Sequence, residues 1–196
     1  MSKKSRHYSK TSHRGEVMNR QHIADSIRAI YDYPKPGIIF RDITTLIGNA
    51  PIFYEVIEIL KNRYEKEKID FIAGIEARGF IFGAALAYAM NVGFVPIRKK
   101  GKLPHTTMSE KYSLEYGFDE VEMHIDAFGS KKDARVVLVD DLIATGGTAE
   151  ASVKLIKSMG AQCIEAAFVI NLKGLEGEKK LAPYTQVFSI LEYEGK

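Results

Sequence analysis

The sequence predicts an α/β fold, an open and mainly parallel sheet of about five strands flanked by helices. From Ile69 onward, short apolar runs alternate with helical patterns at intervals suited to parallel pairing. The 196 residues are 45% hydrophobic and 27% charged, which provides for one buried core. The longest nearly unbroken apolar stretch, residues 79–90, is shorter than the ~20 residues of a membrane-spanning helix. Composition therefore excludes disordered, collagen-like and membrane-spanning classes.

The first predicted elements precede this alternation. Isoleucines at helical spacing predict an N-terminal helix over residues 19–30, which stops before a Pro- and Gly-containing turn at residues 33–37. Residues 38–40 read as a short extended run and residues 41–45 as a loop. A second helix follows Asn49, with Pro51 in its first turn and an apolar face that reaches Tyr64.

The alternating region accounts for the sheet. Strands are predicted at residues 71–75, 93–98, 135–139, 162–170 and 187–191, with helices at 79–91 and 148–159 and a shorter helix before the last strand. An insertion from residue 99 to about residue 134 begins with a basic loop and continues as a hairpin, 113–116 and 120–124 around Gly117. We expect this insertion to be an active-site lid; a surface excursion is the alternative.

The formal charge of +3 is unevenly distributed. Residues 1–20 contain six basic residues and one acidic residue, so residues 21–196 carry a net charge of −2. We expect residues 1–17 to be a disordered basic leader or tag, with Met18 as an alternative start, and residues 18–196 to form a single domain. A basic arm for RNA or a partner is the other interpretation. The lone Cys163 excludes an intramolecular disulfide and favours a cytoplasmic location.

Residues 136–149, VVLVDDLIATGGTA, give the clearest chemical signal. An apolar strand ends at Asp140 and Asp141, and a Thr-Gly-Gly-Thr turn leads into a helix, at the sheet edge where α/β proteins bind ligands. Glycine amides, the helix start and threonine hydroxyls form a phosphate cup. Acids beside it would repel phosphate alone, but they suit ribose hydroxyls or a ligand-borne Mg²⁺. We therefore expect a sugar phosphate; no Lys follows the glycines, which excludes a Walker motif.

This segment resembles the phosphoribosyl-diphosphate (PRPP) motif of the type I phosphoribosyltransferases. From about residue 20 to residue 194 the chain resembles the adenine phosphoribosyltransferase family within that group. The stretches that carry the resemblance are 33–43 (YPKPGIIFRDI), 73–80 (AGIEARGF), 98–104 (RKKGKLP) and 112–117 (YSLEYG).

The resemblance implies the type I phosphoribosyltransferase fold, with an N-terminal hood and a flexible lid loop plus hairpin. It implies transfer of 5-phosphoribosyl from PRPP to adenine, giving AMP and diphosphate, with Mg²⁺ carried mainly by PRPP and no resident metal site. Family members are commonly homodimers. PRPP and adenine are the expected partners, without nucleic acid or membrane.

The resemblance also assigns residues to the PRPP site. The 5′-phosphate is expected on Ala144, Thr145, Gly146, Gly147 and Thr148. Asp140 and Asp141 would bind the ribose hydroxyls and favour the cation that develops at the anomeric carbon. The diphosphate is expected on Arg78, Arg98, Lys99 and Lys102.

The purine site follows from the same resemblance. Relatives that use 6-oxopurines carry an acid at the position of Ala144, which cannot titrate here. Glu115 matches the residue that handles the purine N7 proton in the adenine-specific family. Phe40 would stack on the base, and the backbone of Ile39 and Arg41 would pair with its 6-amino edge and N1.

Two other functions remain open from the sequence. One is a regulator that keeps a PRPP-binding fold and binds nucleic acid through the basic tail. The other is the same reaction with a different purine base, which would change only the purine pocket.

Overall fold

The described residues, 20–113, 117–129 and 131–195 of a computed structural model, contain both helices and strands. The helices are α1 (Gln21–Asp25), α2 (Thr44–Ile47), α3 (Ala50–Tyr64), α4 (Gly79–Met90), α5 (Gly147–Ser158) and α6 (Gly177–Leu181). The strands are β1 (Arg28–Tyr31), β2 (Ile39–Asp42), β3 (Phe71–Ile75), β4 (Gly93–Lys99), β5 (Thr107–Ser113), β6 (Phe118–His124), β7 (Arg135–Ile143), β8 (Gln162–Lys173) and β9 (Gln186–Glu194). The prediction for residues 1–17 lies outside these ranges.

The main sheet has the strand order β5-β6-β4-β3-β7-β8-β9. Its five strands β4, β3, β7, β8 and β9 are parallel, and the antiparallel pair β5–β6 adds to the edge at β4. The predicted α/β class and the five parallel strands are therefore confirmed.

Helices cover both faces of this sheet, so the central strands are buried on each side. Along β7, Val136 and Leu138 pack into the core that contains α5, whereas Val137 and Val139 pack into the core that contains α3 and α4. Such two-sided burial explains why the strand is a continuous apolar run. None of the helices in the described ranges is long and apolar enough to cross a membrane.

Helix α3 begins where the sequence predicts it. The Asn49 side chain accepts a hydrogen bond from the Ile52 amide at 3.4 Å, and Pro51 lies in the first turn, where its missing N–H is not needed. The predicted apolar face is buried at Val56, Ile57, Leu60 and Tyr64.

The N-terminal segment differs from the prediction. Helix α1 ends at Asp25, and residues 28–31 form strand β1 instead of continuing the helix. Ile30, which fits the helical spacing of Ile23 and Ile27, pairs with Phe40 in the antiparallel hairpin β1–β2. The predicted loop at 41–45 is also wrong, because β2 extends to Asp42 and α2 begins at Thr44. Cross-strand pairing therefore overrides the weak local helical pattern.

Two boundaries near residues 144–148, which we call the phosphate loop, also differ from the prediction. Strand β7 does not end at the acids but continues to Ile143, because its pairing with β8 extends to Asn171. The lid hairpin has a longer first strand than predicted, since residues 107–113 pair with residues 118–124. The predicted strand over 113–116 is described only at Ser113.

Candidate active site

A cavity of about 210 Å³ opens at the carboxyl ends of β3 and β7, where α/β sheets bind ligands. The loop that joins β7 to α5 forms one side of it, and Glu76, Lys99 and Asp140 contribute the charged part of its lining. The lining includes the five residues assigned above to the 5′-phosphate, Ala144, Thr145, Gly146, Gly147 and Thr148. The structure thus brings the whole predicted loop around one opening.

The backbone of this loop is arranged for an anion. Gly146 has a φ of +77°, and a Cβ added there would lie 2.9 Å from the Cα and carbonyl oxygen of Gly177. The Glu150 amide donates to the Gly146 carbonyl at 2.8 Å. The first amides of α5, including those of Gly147 and Thr148, precede this bond and have no acceptor within the helix. These donors and the positive end of the helix dipole favour a phosphate.

The two acids lie within β7 and play different parts. Asp140 lines the cavity, and its Oδ1 accepts the Asp141 amide at 2.8 Å. Asp141 is 3% exposed, and its Oδ2 lies 3.0 Å from Arg78 Nε. That ion pair lacks hydrogen-bond geometry, so Asp141 Oδ2 has no hydrogen-bond donor among the described residues. The geometry therefore directs Asp140 to the cavity and Asp141 to Arg78.

The negative charge of Asp140 and Asp141 is only partly compensated by Arg78. Burial and the adjacent Asp141 charge raise the pKa of Asp140 well above its usual value. Burial also raises the pKa of Asp141, against the opposing charge of Arg78. One buried and one partly buried carboxylate beside a single guanidinium favour a ligand that brings hydroxyl donors or positive charge.

Arg78 connects the acids to the predicted purine site. Its guanidinium lies 5.5 Å from the centre of the Phe40 ring, and the Tyr33 ring meets Phe40 edge-on at 5.4 Å. Strand β2, which carries Ile39, Phe40 and Arg41, pairs only with β1 among the described strands. Backbone groups along its other edge therefore have no strand partner there. Arg41 places its side chain over the Tyr193 ring at 4.0 Å.

Two of the cations predicted to bind diphosphate, Arg98 and Lys102, contact Glu76, an acid to which the sequence assigned no binding role. Arg98 Nε donates to Glu76 Oε2 at 3.1 Å, and Lys102 Nζ donates to Oε1 at 2.7 Å. The backbone amide of Lys99 also donates to Oε2, at 3.1 Å. Burial raises the pKa of Glu76, but the hydrogen bonds from Lys102 and Arg98 outweigh it and the net shift is downward. Arg78 is separate and stays with Asp141.

Further contacts tie the lid to the phosphate loop. The Lys99 ammonium contacts the Tyr112 hydroxyl and the Asp119 carboxylate. The Tyr112 ring lies 3.3 Å from the position of a Cβ on Gly147. Because β5 and β6 carry Tyr112 and Asp119, the hairpin contacts both the lid and the loop.

A buried acid supports the lid from below. Glu122 is 2% exposed and accepts the backbone amides of Lys102 and Leu103 at 2.9 and 2.8 Å and the Thr107 hydroxyl at 3.1 Å. No local pattern indicates this role, since the acid lies in β6 and its partners lie 15 to 20 residues earlier. Glu122 shares its face of β6 with Glu120 and His124, so the alternation of residues along the strand does not distinguish it.

We expect Glu76→Gln to destabilise the protein by about 1 to 2 kcal/mol at pH 7, because Glu76 is a mostly buried carboxylate with several charged donors. Its pKa in the folded state is below the usual 4.5, so this stabilisation is present above pH 4.5 and is lost as the pH falls through the folded pKa. Urea denaturation at several pH values measures the difference.

The control for this prediction is Glu67→Gln. Glu67 is half exposed and pairs with Arg135 at 3.1 Å, so its loss should cost less than about 0.5 kcal/mol. Equal losses for the two variants, or a Glu76 effect that does not shrink at low pH, would contradict the assignment.

The described residues contain no cluster of three or more His, Cys, Asp or Glu side chains suited to hold a metal ion. The Glu76–Ala77 peptide bond, in the turn that follows β3, is cis. Glu115 lies outside the described residues, so its predicted position is not tested. The remaining predicted residues lie in four groups: the phosphate loop, the acid pair, the lid loop, and strand β2, which we call the hood strand.

The chain is similar to known proteins in both sequence and fold. Residues 44–195 match the model of the phosphoribosyl transferase domain family. An adenine phosphoribosyltransferase from Helicobacter hepaticus is 78% identical over 179 residues, which cover 91% of this chain and all of that protein. Another, from Sulfurimonas denitrificans, is 62% identical and covers 87% of this chain and 93% of its own.

Solved structures show the same fold. The crystal structure of an adenine phosphoribosyltransferase from Thermoanaerobacter pseudethanolicus has a TM-score of 0.83 at 48% identity, over 88% of this chain and 99% of that one. The enzyme from Saccharomyces cerevisiae, complexed with an imino-altritol bisphosphate and adenine, has a TM-score of 0.81 at 37% identity, over 87% and 97% of the two chains.

Proposed function

Because the chain belongs to the adenine phosphoribosyltransferase family, we propose that it transfers 5-phosphoribosyl from PRPP to adenine, giving AMP and diphosphate in purine salvage. The observation that supports this most strongly is the cavity that combines a phosphate loop, an acid and lid residues. An anion site alone would not need Asp140. A sugar phosphate that forms a cation during the reaction uses both the phosphate loop and the acid.

The PRPP donor fits the cavity by its three chemical parts. The amides of Gly147 and Thr148 and the threonine hydroxyls bind the 5′-phosphate. Asp140 and Asp141 bind ribose hydroxyls, and their charge stabilises the cation at the anomeric carbon. Arg78, Arg98, Lys99 and Lys102 neutralise the departing diphosphate.

The reaction replaces one bond at the anomeric carbon with another. The bond to the diphosphate oxygen breaks, the diphosphate takes its electron pair, and adenine N9 forms the new bond. The N7 proton of adenine then has to leave, and Glu115 accepts it. The hairpin and lid shield the cation from water, which would otherwise hydrolyse the donor.

Selectivity for adenine rests on the hood strand and on Ala144. Phe40 stacks on the base, and the backbone edge of β2 at Ile39 and Arg41 pairs with the 6-amino group and N1. An oxopurine would leave these buried groups unpaired, which is a strong form of discrimination. Ala144 offers no carboxylate for an oxopurine proton.

The metal enters as part of the substrate. Mg²⁺ would arrive with PRPP and neutralise part of its diphosphate charge, and Asp140, which lines the cavity, would face this complex. AMP formation should therefore stop on chelation of Mg²⁺ and return when Mg²⁺ is added in excess.

The assembly and location follow the family. We expect a homodimer, which would cover exposed side chains such as Tyr88 (91% exposed) and Phe118 (75%). Light scattering should then give twice the mass of one chain. The buried Cys163 thiol, whose pKa burial raises to about 11, suits the reducing cytoplasm. We expect neither nucleic acid nor membrane as a partner.

The direct test is AMP formation from PRPP, adenine and Mg²⁺, followed by chromatography. Equal amounts of AMP and diphosphate should appear, and neither should form without PRPP. Absence of AMP with folded protein would contradict the proposed function.

Glu115→Leu should reduce kcat about 10²-fold or more while the KM for PRPP changes less than about twofold, because the residue acts on the purine proton. Glu110→Leu is the matched control, because Glu110 is an acid of strand β5 that does not line the cavity. Steady-state kinetics with adenine measure both. An unchanged kcat for Glu115→Leu would remove it from the mechanism.

A further inference from the structure

Helix α6 packs its backbone directly against the phosphate loop. A Cβ added to Gly177, the first residue of α6, would lie 2.4 Å from the Ala144 carbonyl oxygen. Such an approach is possible only because Gly177 and Gly146 have no side chains. Residues on the same face of α6 as Gly177 therefore point towards the loop. Lys180 follows three positions later and lies on this face.

The Lys180 ammonium lies beside the start of α5. Its Nζ is 4.0 Å from the position of a Cβ on Gly147 and 3.6 Å from Glu150 Oε2. It does not line the cavity itself but stands next to Gly147, which does. Lys180 thus brings a positive charge to the phosphate loop from the α6 side.

A cation at this position is unfavourable without an anion. The first turn of α5 carries the positive end of the helix dipole, which repels an ammonium group. Glu150 compensates this only in part, because its Oε1 is already held by Lys154 at 2.9 Å in an i, i+4 pair. The contact of Lys180 with Oε2 is longer and leaves the flexible side chain able to turn to a second anion.

From this geometry we infer that Lys180 is a further phosphate-binding residue, which turns from Glu150 to the 5′-phosphate of PRPP and AMP. This inference rests on the proposed function, since it requires a 5′-phosphate in the loop. Lys180 supplies a mobile positive charge that the backbone amides lack, and it holds the phosphate without touching the reacting atoms. The expected effect is therefore on affinity for phosphorylated ligands and not on kcat.

The test compares Lys180→Met with Lys154→Met, since each removes one of the two lysines that pair with Glu150. Calorimetric titration with AMP and with adenosine separates phosphate from nucleoside binding. Lys180→Met should weaken AMP binding about 5- to 10-fold and raise the KM for PRPP by a similar factor, with kcat and adenosine binding unchanged. Lys154→Met should change each of these less than twofold. Lys180→Gln, similar in length and polar, repeats the test if the Met variant folds poorly.

A second comparison distinguishes binding from simple neutralisation of Glu150. If Lys180 binds the phosphate, Glu150→Gln combined with Lys180→Met should remain weak for AMP. Restored AMP affinity in that double variant, or equal effects of Lys180→Met and Lys154→Met, would overturn the inference. Failure of the unsubstituted protein to bind AMP or PRPP would instead contradict the proposed function.

Discussion

Replacing both Asp140 and Asp141 with Asn should reduce kcat/KM for PRPP by about 10³-fold or more. The amides keep the shape and some of the hydrogen bonds, but they remove the charge that stabilises the anomeric cation. Steady-state AMP formation measures the loss. Asp126→Asn, an exposed acid outside the cavity lining, should leave activity unchanged. Activity of the double variant within tenfold of the unsubstituted protein would refute the assignment of the acids to the sugar site.

The loss of negative charge that reduces activity should increase the stability of the folded protein. The single variant Asp140→Asn, which keeps the Asp141–Arg78 pair, should melt a few degrees higher than the unsubstituted protein at pH 7. Because the pKa of Asp140 is raised in the folded state, ionisation costs stability as the pH rises above the usual value of 3.8. Below about pH 4 the advantage should vanish, since both states are protonated. A lower melting temperature at pH 7 would contradict this account.

Gly146→Ala should raise the KM for PRPP at least about tenfold and reduce stability by more than about 2 kcal/mol. The new Cβ would meet the Gly177 backbone at 2.9 Å, and relief of this contact would shift the backbone of α6 or of the β7–α5 loop. The φ of +77° adds its own strain. Kinetics with varied PRPP and urea denaturation measure the two effects.

Gly160→Ala separates the steric contact from the backbone strain. Gly160 has a similar φ of +73°, but a Cβ there meets no atom within 4 Å. It should therefore cost only about 1 kcal/mol and leave the KM for PRPP unchanged. If Gly146→Ala behaves in the same way, the close packing of α6 on the loop is not important for binding PRPP.

Most of the central sheet could be predicted because its signals are local and strong. Strand β3 matches its prediction residue for residue, α4 ends one residue earlier than predicted, and α5 begins and ends one residue earlier than predicted. In each case an apolar run is bounded by a turn or by glycine. The hydrophobic periodicity and the residues that end an element therefore indicate the same boundaries.

The N-terminal segment that contains α1, β1 and β2 was predicted less well, because pairing between distant residues determines its structure. Ile23, Ile27 and Ile30 satisfy a helical period, yet Ile30 lies in a strand opposite Phe40. A helix of five residues has little stability of its own, so the hairpin partner determines where it ends. Nothing near Ile30 in the sequence shows that Phe40 will be its neighbour.

The candidate site shows the same division. The phosphate loop and its acids form one continuous segment and could be read from it. The acids that organise the lid could not, because Glu76 lies more than twenty residues before Arg98 and Lys102, and Glu122 lies twenty after Lys102. Lys180 reaches the loop only through the packing of α6.

The most direct test of the proposed activity and of its selectivity for adenine is nucleotide formation from PRPP and Mg²⁺ with adenine, hypoxanthine, guanine and xanthine in parallel. We expect AMP from adenine and no nucleotide from the three oxopurines, because the backbone edge of β2 is proposed to pair with an amino group and Ala144 cannot handle an oxopurine proton. Turnover of an oxopurine at a comparable rate would contradict the purine site while leaving the donor site intact. No turnover with any of the four bases would contradict the enzymatic function itself.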